Sequence, residues 1–93
     1  MNMFRMWIKQ FQNTRLIKNT VIEDSTADTR THKVFNAIES ACYQFDLSIP
    51  IWLDKNVSEF KRFSKTRFYQ DNFIEEIEFD FIEIHMLDED DMY

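Results

Sequence analysis

Hydrophobic and polar positions alternate at the start of the chain: Phe4, Met6 and Ile8 share one parity, while Arg5, Trp7, Lys9 and Phe11 share the other. Period-two patterning of this kind predicts a β-strand over residues 3–11. Asn13-Thr14 predicts a turn, because asparagine tolerates positive φ where no glycine is at hand. A second strand, rich in β-branched residues, is expected over 15–23, completing an N-terminal β-hairpin. Its apolar residues Leu16, Ile17, Val21 and Ile22 fall two on each face, so the pattern does not choose a buried side.

Residues 25–31 are small, polar or charged apart from Ala27, which suits a loop ending in a helix cap at Asp28 or Thr29. Beyond it Val34, Phe35, Ile38, Ala41, Cys42 and Phe45 recur at helical spacing and predict an amphipathic helix over 29–46. Ser48-Ile49-Pro50 closes it, since proline disfavours helical geometry in the residue before it. Asp54 is the expected cap of a short second helix reaching Phe63, followed by a strand over 66–70 and a turn at Asp71-Asn72.

From Phe73 to Leu87 the alternation is strict at first, with Ile77, Phe79 and Phe81 against Glu76, Glu78 and Asp80. Then the phase reverses: Ile82, Ile84 and Met86 continue the acidic series, while Glu83 and His85 take over the apolar one. A single flat strand cannot do this, so a bulge or bend near Phe81-Ile82, or a strand that changes partner, is expected. The pattern as a whole predicts an α+β domain over 1–87: a small, mostly antiparallel sheet made of the hairpin and the acidic C-terminal strand, one main helix on one face, and a short second helix. Residues 88–93 read as an acidic tail.

Composition narrows the chemistry. The 93 residues include ten phenylalanines and no glycine. Dinucleotide and phosphate loops of the GxGxxG and GxxxxGK[ST] types, and the GxSxG nucleophile elbow, are thereby excluded. One cysteine, Cys42, makes neither an intramolecular disulfide nor a multi-thiolate metal site. The longest apolar run, Ile49 to Leu53, is far short of the ~20 residues that span a bilayer, and the first ten residues lack the apolar stretch of a signal peptide. A cytoplasmic protein with no cofactor and no membrane partner is expected.

Charge is divided unevenly along the chain. Residues 1–69 carry all eleven Lys and Arg against seven acids, whereas residues 70–93 carry ten acids and no base, which gives the net −6. The simplest expectation is an acidic strand beside a basic one, with Glu76, Glu78 and Asp80 opposite Arg5, Lys9, Lys18 or Arg67, or a solvated face. Alternatively, carboxylates at alternate strand positions lie roughly 6.6 Å apart, close to the phosphate spacing along one DNA strand, so the acidic patch Glu76, Glu78, Asp80 could mimic nucleic acid in a basic protein groove.

Among candidate sites, the run Phe60, Lys61, Arg62, Phe63, Lys65, Arg67, Phe68, Tyr69 interleaves aromatic and basic residues as a single-strand nucleic-acid platform does. The overall acidity argues against direct nucleic-acid binding and favours core phenylalanines flanked by charges. His32 falls in the first turn of the main helix, and His85, near Glu83 and Asp88, is a weak metal candidate, because structural zinc takes four N or S ligands. Cys42, on the apolar stripe, reads as an inert thiol. No nucleophile, base and orienting group lie together in sequence, so a small enzyme or metal protein centred on His85 ranks last. Trp7, Phe11 and Trp52 stand out instead. Trp7 and Phe11 occupy the strand face opposite Phe4-Met6-Ile8, and either the 49–52 loop or the second helix covers them, or they form an interface.

The stretch from Asp28 to Glu89, especially TRTHKVF, FDLSIPIWLDKN, EFKRFSKTRFYQDNFIE and the closing FDFIEIHMLDED, resembles short uncharacterised proteins of Gram-positive gut bacteria. The resemblance implies a bacterial cytosolic protein and assigns no residue a role. The expectation is thus a non-enzymatic protein–protein interaction module, homodimeric or part of a larger complex, working through Trp7, Phe11 and Trp52.

Overall fold

The first strand and the turn that reverses it set the frame of the structure. In a computed structural model describing residues 3–89, β1 (Arg5–Gln12) and β2 (Arg15–Glu23) pair antiparallel with Gln12 opposite Arg15. Asn13 and Thr14 are therefore a two-residue hairpin loop, and both take positive φ, 53° and 62°. The right-handed twist of paired strands selects this mirror-image turn, in which Asn-Gly is the favoured dipeptide. Threonine, being β-branched, is strained there, although its Oγ1 donates to the Asn13 carbonyl at 2.6 Å. Thr14→Gly is expected to stabilise the protein by about 1 kcal/mol, raising the melting temperature by about 4–8 °C. Thermal unfolding followed by circular dichroism checks this, and a lowered melting temperature refutes it.

Two helices follow, α1 (Arg30–Phe45) and α2 (Asp54–Phe63). Thr29 caps α1 by accepting from the His32 backbone N–H at 3.2 Å, as expected from the sequence. The helix ends earlier than the proline. Asp46 adopts the left-handed conformation, and Leu47 donates to the Cys42 carbonyl at 2.8 Å, a closure glycine usually makes. Ser64 plays the same part after α2. The cap of α2 is Leu53 rather than Asp54: the Asn56 side chain reaches back to the Leu53 N–H at 3.1 Å, which leaves Asp54 in the first turn, where the helix dipole favours an acid.

β3 (Lys65–Phe68) and β4 (Phe81–Asp88) complete a four-stranded antiparallel sheet of order β2-β1-β4-β3, so the C-terminal strand sits centrally beside β1. Phe4, Met6 and Ile8 meet Ile82, Ile84, Met86 and Phe68 on the inner face, and α1 and α2 cover them with Val34, Ala37, Ile38, Ala41, Cys42, Phe45 and Phe60, all buried. The α+β class and the helix-on-one-face arrangement are as the sequence predicts. Only Ile22 of the apolar residues in β2 packs on this core, while Leu16, Ile17 and Val21 are exposed. The register shifts between Gln10 and Phe11, leaving Ile17 as an extra residue in β2, and this bulge is why its apolar pattern chose no face.

The alternating stretch 73–80 is the principal correction. It is not strand: a 3₁₀ turn at Gln70–Asn72 leads into a loop, and β4 begins only at Phe81. The phase reversal is thus the passage from loop to strand, with no bulge in β4 at Phe81-Ile82. The reason is pairing. Phe81 lies opposite Phe11, β1 ends one residue later at Gln12, and no strand remains beyond it to give residues 73–80 a ladder partner. Their alternation instead turns Phe73 and Phe79 into the core, in an edge-to-face contact at 5.7 Å, while Gln70 holds the loop by donating to the Glu75 carbonyl and accepting from the Ile77 N–H, both at 2.8 Å.

The expected acidic tail begins inside the fold. Asp88 is the last residue of β4 and pairs with Arg5, and Glu89 pairs with Arg30 of α1. The rest of the predicted tail, residues 90–93, lies outside the described residues.

Candidate interaction surface

The outer face of the sheet, opposite the helices, carries the odd-numbered residues of β1. Neither α2 nor the 49–52 loop covers it. Trp7 stands between Val21 of β2 and His85 of β4, Lys9 between Asn19 and Glu83, and Phe11 between Leu16 and Phe81. β3 extends the rows, placing Lys65 beside His85 and Arg67 beside Glu83. Cross-strand neighbours on one face are close enough for their side chains to interact.

The rows alternate in chemistry. In the middle row Glu83 accepts from Lys9 at 2.8 Å and from Arg67 at 2.9 Å, with the Glu83 and Lys9 side chains only 10% and 12% exposed. Burial pushes the Glu83 carboxyl up, but the bonds to Lys9 and Arg67 outweigh it and hold it below the usual value of 4.5. The flanking rows are aromatic. Phe11 stacks on Phe81 with centroids 4.9 Å apart, and Tyr69 lies 5.3 Å from Phe81. The same two cations serve the rings as well: Lys9 Nζ lies 4.0 Å from the Trp7 ring centre and the Arg67 guanidinium 4.4 Å from that of Phe81. Trp7 also donates from Nε1 to Asn19 Oδ1 at 3.2 Å. The result is a face of half-buried rings pinned by one three-membered charge row.

Trp52, expected to belong with Trp7 and Phe11, is on the other side of the sheet. It wedges between the helices, edge-on to Phe68 of β3 at 5.3 Å, Phe60 of α2 at 5.6 Å and Phe35 of α1 at 6.1 Å. Phe81, Tyr69, Arg67 and Glu83 take its place on the open face, none of them assigned to it from the sequence. The available signal was the step of two that links Phe81 to Glu83 and Arg67 to Tyr69. Phe60 and Phe68 of the aromatic and basic run are core, as expected, whereas Phe63 is 57% exposed.

The charge split resolves into pairs between the two halves of the chain, yet through different acids from those named. Glu83, Asp88, Glu89 and Asp71 meet Lys9 and Arg67, Arg5, Arg30 and Lys55. Glu76, Glu78 and Asp80 are exposed in the 73–80 loop and make no salt bridge among the described residues. Asp80 braces the hairpin: its carboxylate accepts from the Asn13 N–H at 2.8 Å and its own N–H donates to the Phe11 carbonyl at 2.9 Å. Because these acids are not on a strand, the regular spacing on which phosphate mimicry depended is absent.

His32 bonds to Asp28 at 2.9 Å at the start of α1. His85 is half-buried between Trp7 and Lys65, and no cluster of three His, Cys, Asp or Glu side chains among the described residues is placed to hold a metal. Burial pushes the Cys42 thiol up to about 11, so it is neither a thiolate nor accessible at neutral pH. No helix among the described residues is long and apolar enough to cross a membrane. Comparison with protein-family models, curated proteins and solved structures finds no match to this chain, so the reading of its function rests on this geometry.

Proposed function

We propose that the protein is a non-enzymatic interaction module that pairs with a second copy of itself along β2, beside the open aromatic face. The observation that carries this reading is the free edge of β2. It is nine residues long and keeps Leu16, Ile17 and Val21 at 43–44% exposure, whereas the opposite edge, β3, has only four residues. Long edges of this kind present unpaired backbone groups to another chain.

A two-fold antiparallel pairing centred on Asn19 sets Lys18 opposite Thr20 and brings Val21 against the bulged, exposed Ile17 of the second copy. Aliphatic cross-strand contacts of this kind contribute about 0.2–1 kcal/mol apiece. Closing the sheet on its one long edge gives a dimer and leaves no equivalent edge for further growth. Trp7 is bonded to the residue on the axis, so it borders the seam, and Phe11 lies one row from it. A single buried free thiol suits a reducing compartment, and we place the protein in the cytoplasm.

Size-exclusion chromatography with light scattering is expected to give twice 11.4 kDa, with Val21→Glu, an exposed position on the seam, shifting the protein to monomer. A monomer at every concentration, or a Val21→Glu variant that stays dimeric, overturns the reading.

A further inference from the structure

The apolar stripes of the two helices run wider than the core they cover. Phe35 of α1 and Val57 of α2 belong to those stripes by spacing, yet both are exposed, and they line a groove of about 200 Å³ between the helices. Trp52 and Phe60 line it too, edge to face at 5.6 Å. The volume lies below the roughly 300–1,000 Å³ of small-molecule sites and suits a single apolar side chain.

Charge narrows what accompanies that side chain. Arg30 and Lys61 stand in the groove lining and no carboxylate does, on a chain of net charge −6. Arg30 already holds a carboxylate, that of Glu89, whereas Lys61 makes no ion pair among the described residues. An apolar residue flanked by acids is therefore the complementary occupant.

The chain itself displays one. Ile74 is 91% exposed, and Glu75 and Glu76 follow it. Ile74 is held away from the groove of its own copy: Phe73 beside it is buried, and Glu75 accepts from the Ser48 hydroxyl at 3.0 Å. Ser48 lies beyond the C-terminal end of α1, whereas the groove opens on the first turns of that helix, at Arg30 and Phe35. From Phe35 to Phe45 alone the helix rises roughly 15 Å.

We propose that the groove between α1 and α2 receives Ile74 of a second copy, with Glu76 of that copy meeting Lys61. This contact is separate from pairing along β2 and does not depend on it. Knob and groove are different surfaces, so the contact joins copies head to tail and extends an assembly where β2 pairing closes one. One seated side chain makes a small interface, and the contact is accordingly weak and favoured at high protein concentration.

The test uses full-length protein carrying Val21→Glu throughout, so that β2 pairing plays no part and failure here leaves that reading standing. Isotope-labelled protein with Ile74→Ser, which keeps only the groove, is titrated with unlabelled protein carrying Val57→Glu, which keeps only the knob. Both positions are exposed, so folding is not at stake. The expected result is saturable chemical-shift change at the Trp52 indole N–H and at the Phe35 and Lys61 amides. Adding Ile74→Ser to the titrant should abolish it. Glu76→Lys in the titrant should weaken binding about fivefold, and Lys61→Glu in the labelled protein should restore it. Shifts that survive Ile74→Ser in the titrant, that centre away from the groove, or that fail to appear at millimolar concentration overturn the proposal.

Discussion

Asn56→Ala is expected to remove about 3 kcal/mol or more of stability, a large share of the roughly 5–14 kcal/mol available to a domain of this size. Asn56 and Asn72 are both fully buried, and their side-chain amides bond to each other, Asn72 Nδ2 donating to Asn56 Oδ1 at 2.7 Å. Every remaining polar atom is used. Asn56 accepts from the Leu53 N–H at 3.1 Å and donates to Thr66 Oγ1 and the Arg67 carbonyl, each at 2.9 Å. Asn72 accepts from the Tyr69 N–H at 2.9 Å and donates to the Ile51 carbonyl at 2.8 Å. Thr66 passes its own proton to Glu59 at 2.6 Å. Two amides thus hold the start of α2, the 49–52 loop, β3 and the 3₁₀ turn in one place. Truncating Asn56 removes one bond each from the Leu53 N–H, the Thr66 hydroxyl, the Arg67 carbonyl and the Asn72 amide, the second and fourth of them buried, at about 1–3 kcal/mol for each buried group left short of a partner. Because the two amides share a bond, Asn72→Ala and Asn56→Ala should couple: urea unfolding of the double variant should show a loss at least ~1 kcal/mol smaller than the sum of the singles. Additive losses, or a single-variant loss under ~1 kcal/mol, would show that water replaces the network at little cost.

That network also marks the boundary of what the sequence makes legible. The stripe from Val34 to Phe45, the inward set Phe4-Met6-Ile8 and the Asn13-Thr14 turn all declare themselves through local periodicity or turn chemistry, and each is where it was expected, except that Phe35 of the stripe is 48% exposed. Asn56 and Asn72 look like ordinary surface polar residues in the sequence. Their burial depends on contacts between segments 16 residues apart, which no local pattern encodes. The misreading of residues 73–80 has the same origin, since alternation states that a segment has two faces, whereas becoming a strand also requires a neighbour, and β1 stops at Gln12. The open face was half legible. Trp7 and Phe11 were visibly on the wrong side of β1 for the core, but which residues join them depends on β4 entering between β1 and β3, and strand order was beyond the sequence.

The same face carries the second large effect. Glu83→Gln is expected to reduce stability by about 2–3 kcal/mol at neutral pH, somewhat below the roughly 3–5 kcal/mol for breaking a fully buried pair, because the Arg67 side chain is half exposed. The loss arises from Lys9, whose nearly buried ammonium would lose its carboxylate partner. The sign of the pH dependence follows from the direction of the Glu83 shift. Its carboxyl in the folded protein titrates below the ordinary 4.5, so the folded state binds fewer protons than the unfolded chain there. The stabilisation is complete above about pH 4.5 and disappears as the pH falls through the lowered folded value. Asp24 and Asp28, held low by hydrogen bonds from Thr26 and His32 respectively, act in the same direction but at exposed positions, and both are retained in the variant. Denaturant titrations of wild type and Glu83→Gln should therefore differ by the full amount at neutral pH and converge in acid, once the pH has fallen through the lowered Glu83 value. A gap of the same size at both values would mean that Glu83 contributes by packing under the aromatic rows and not through its charge. Convergence would identify protonation of Glu83 as the event that frees Lys9 and Arg67 on the open face of the sheet.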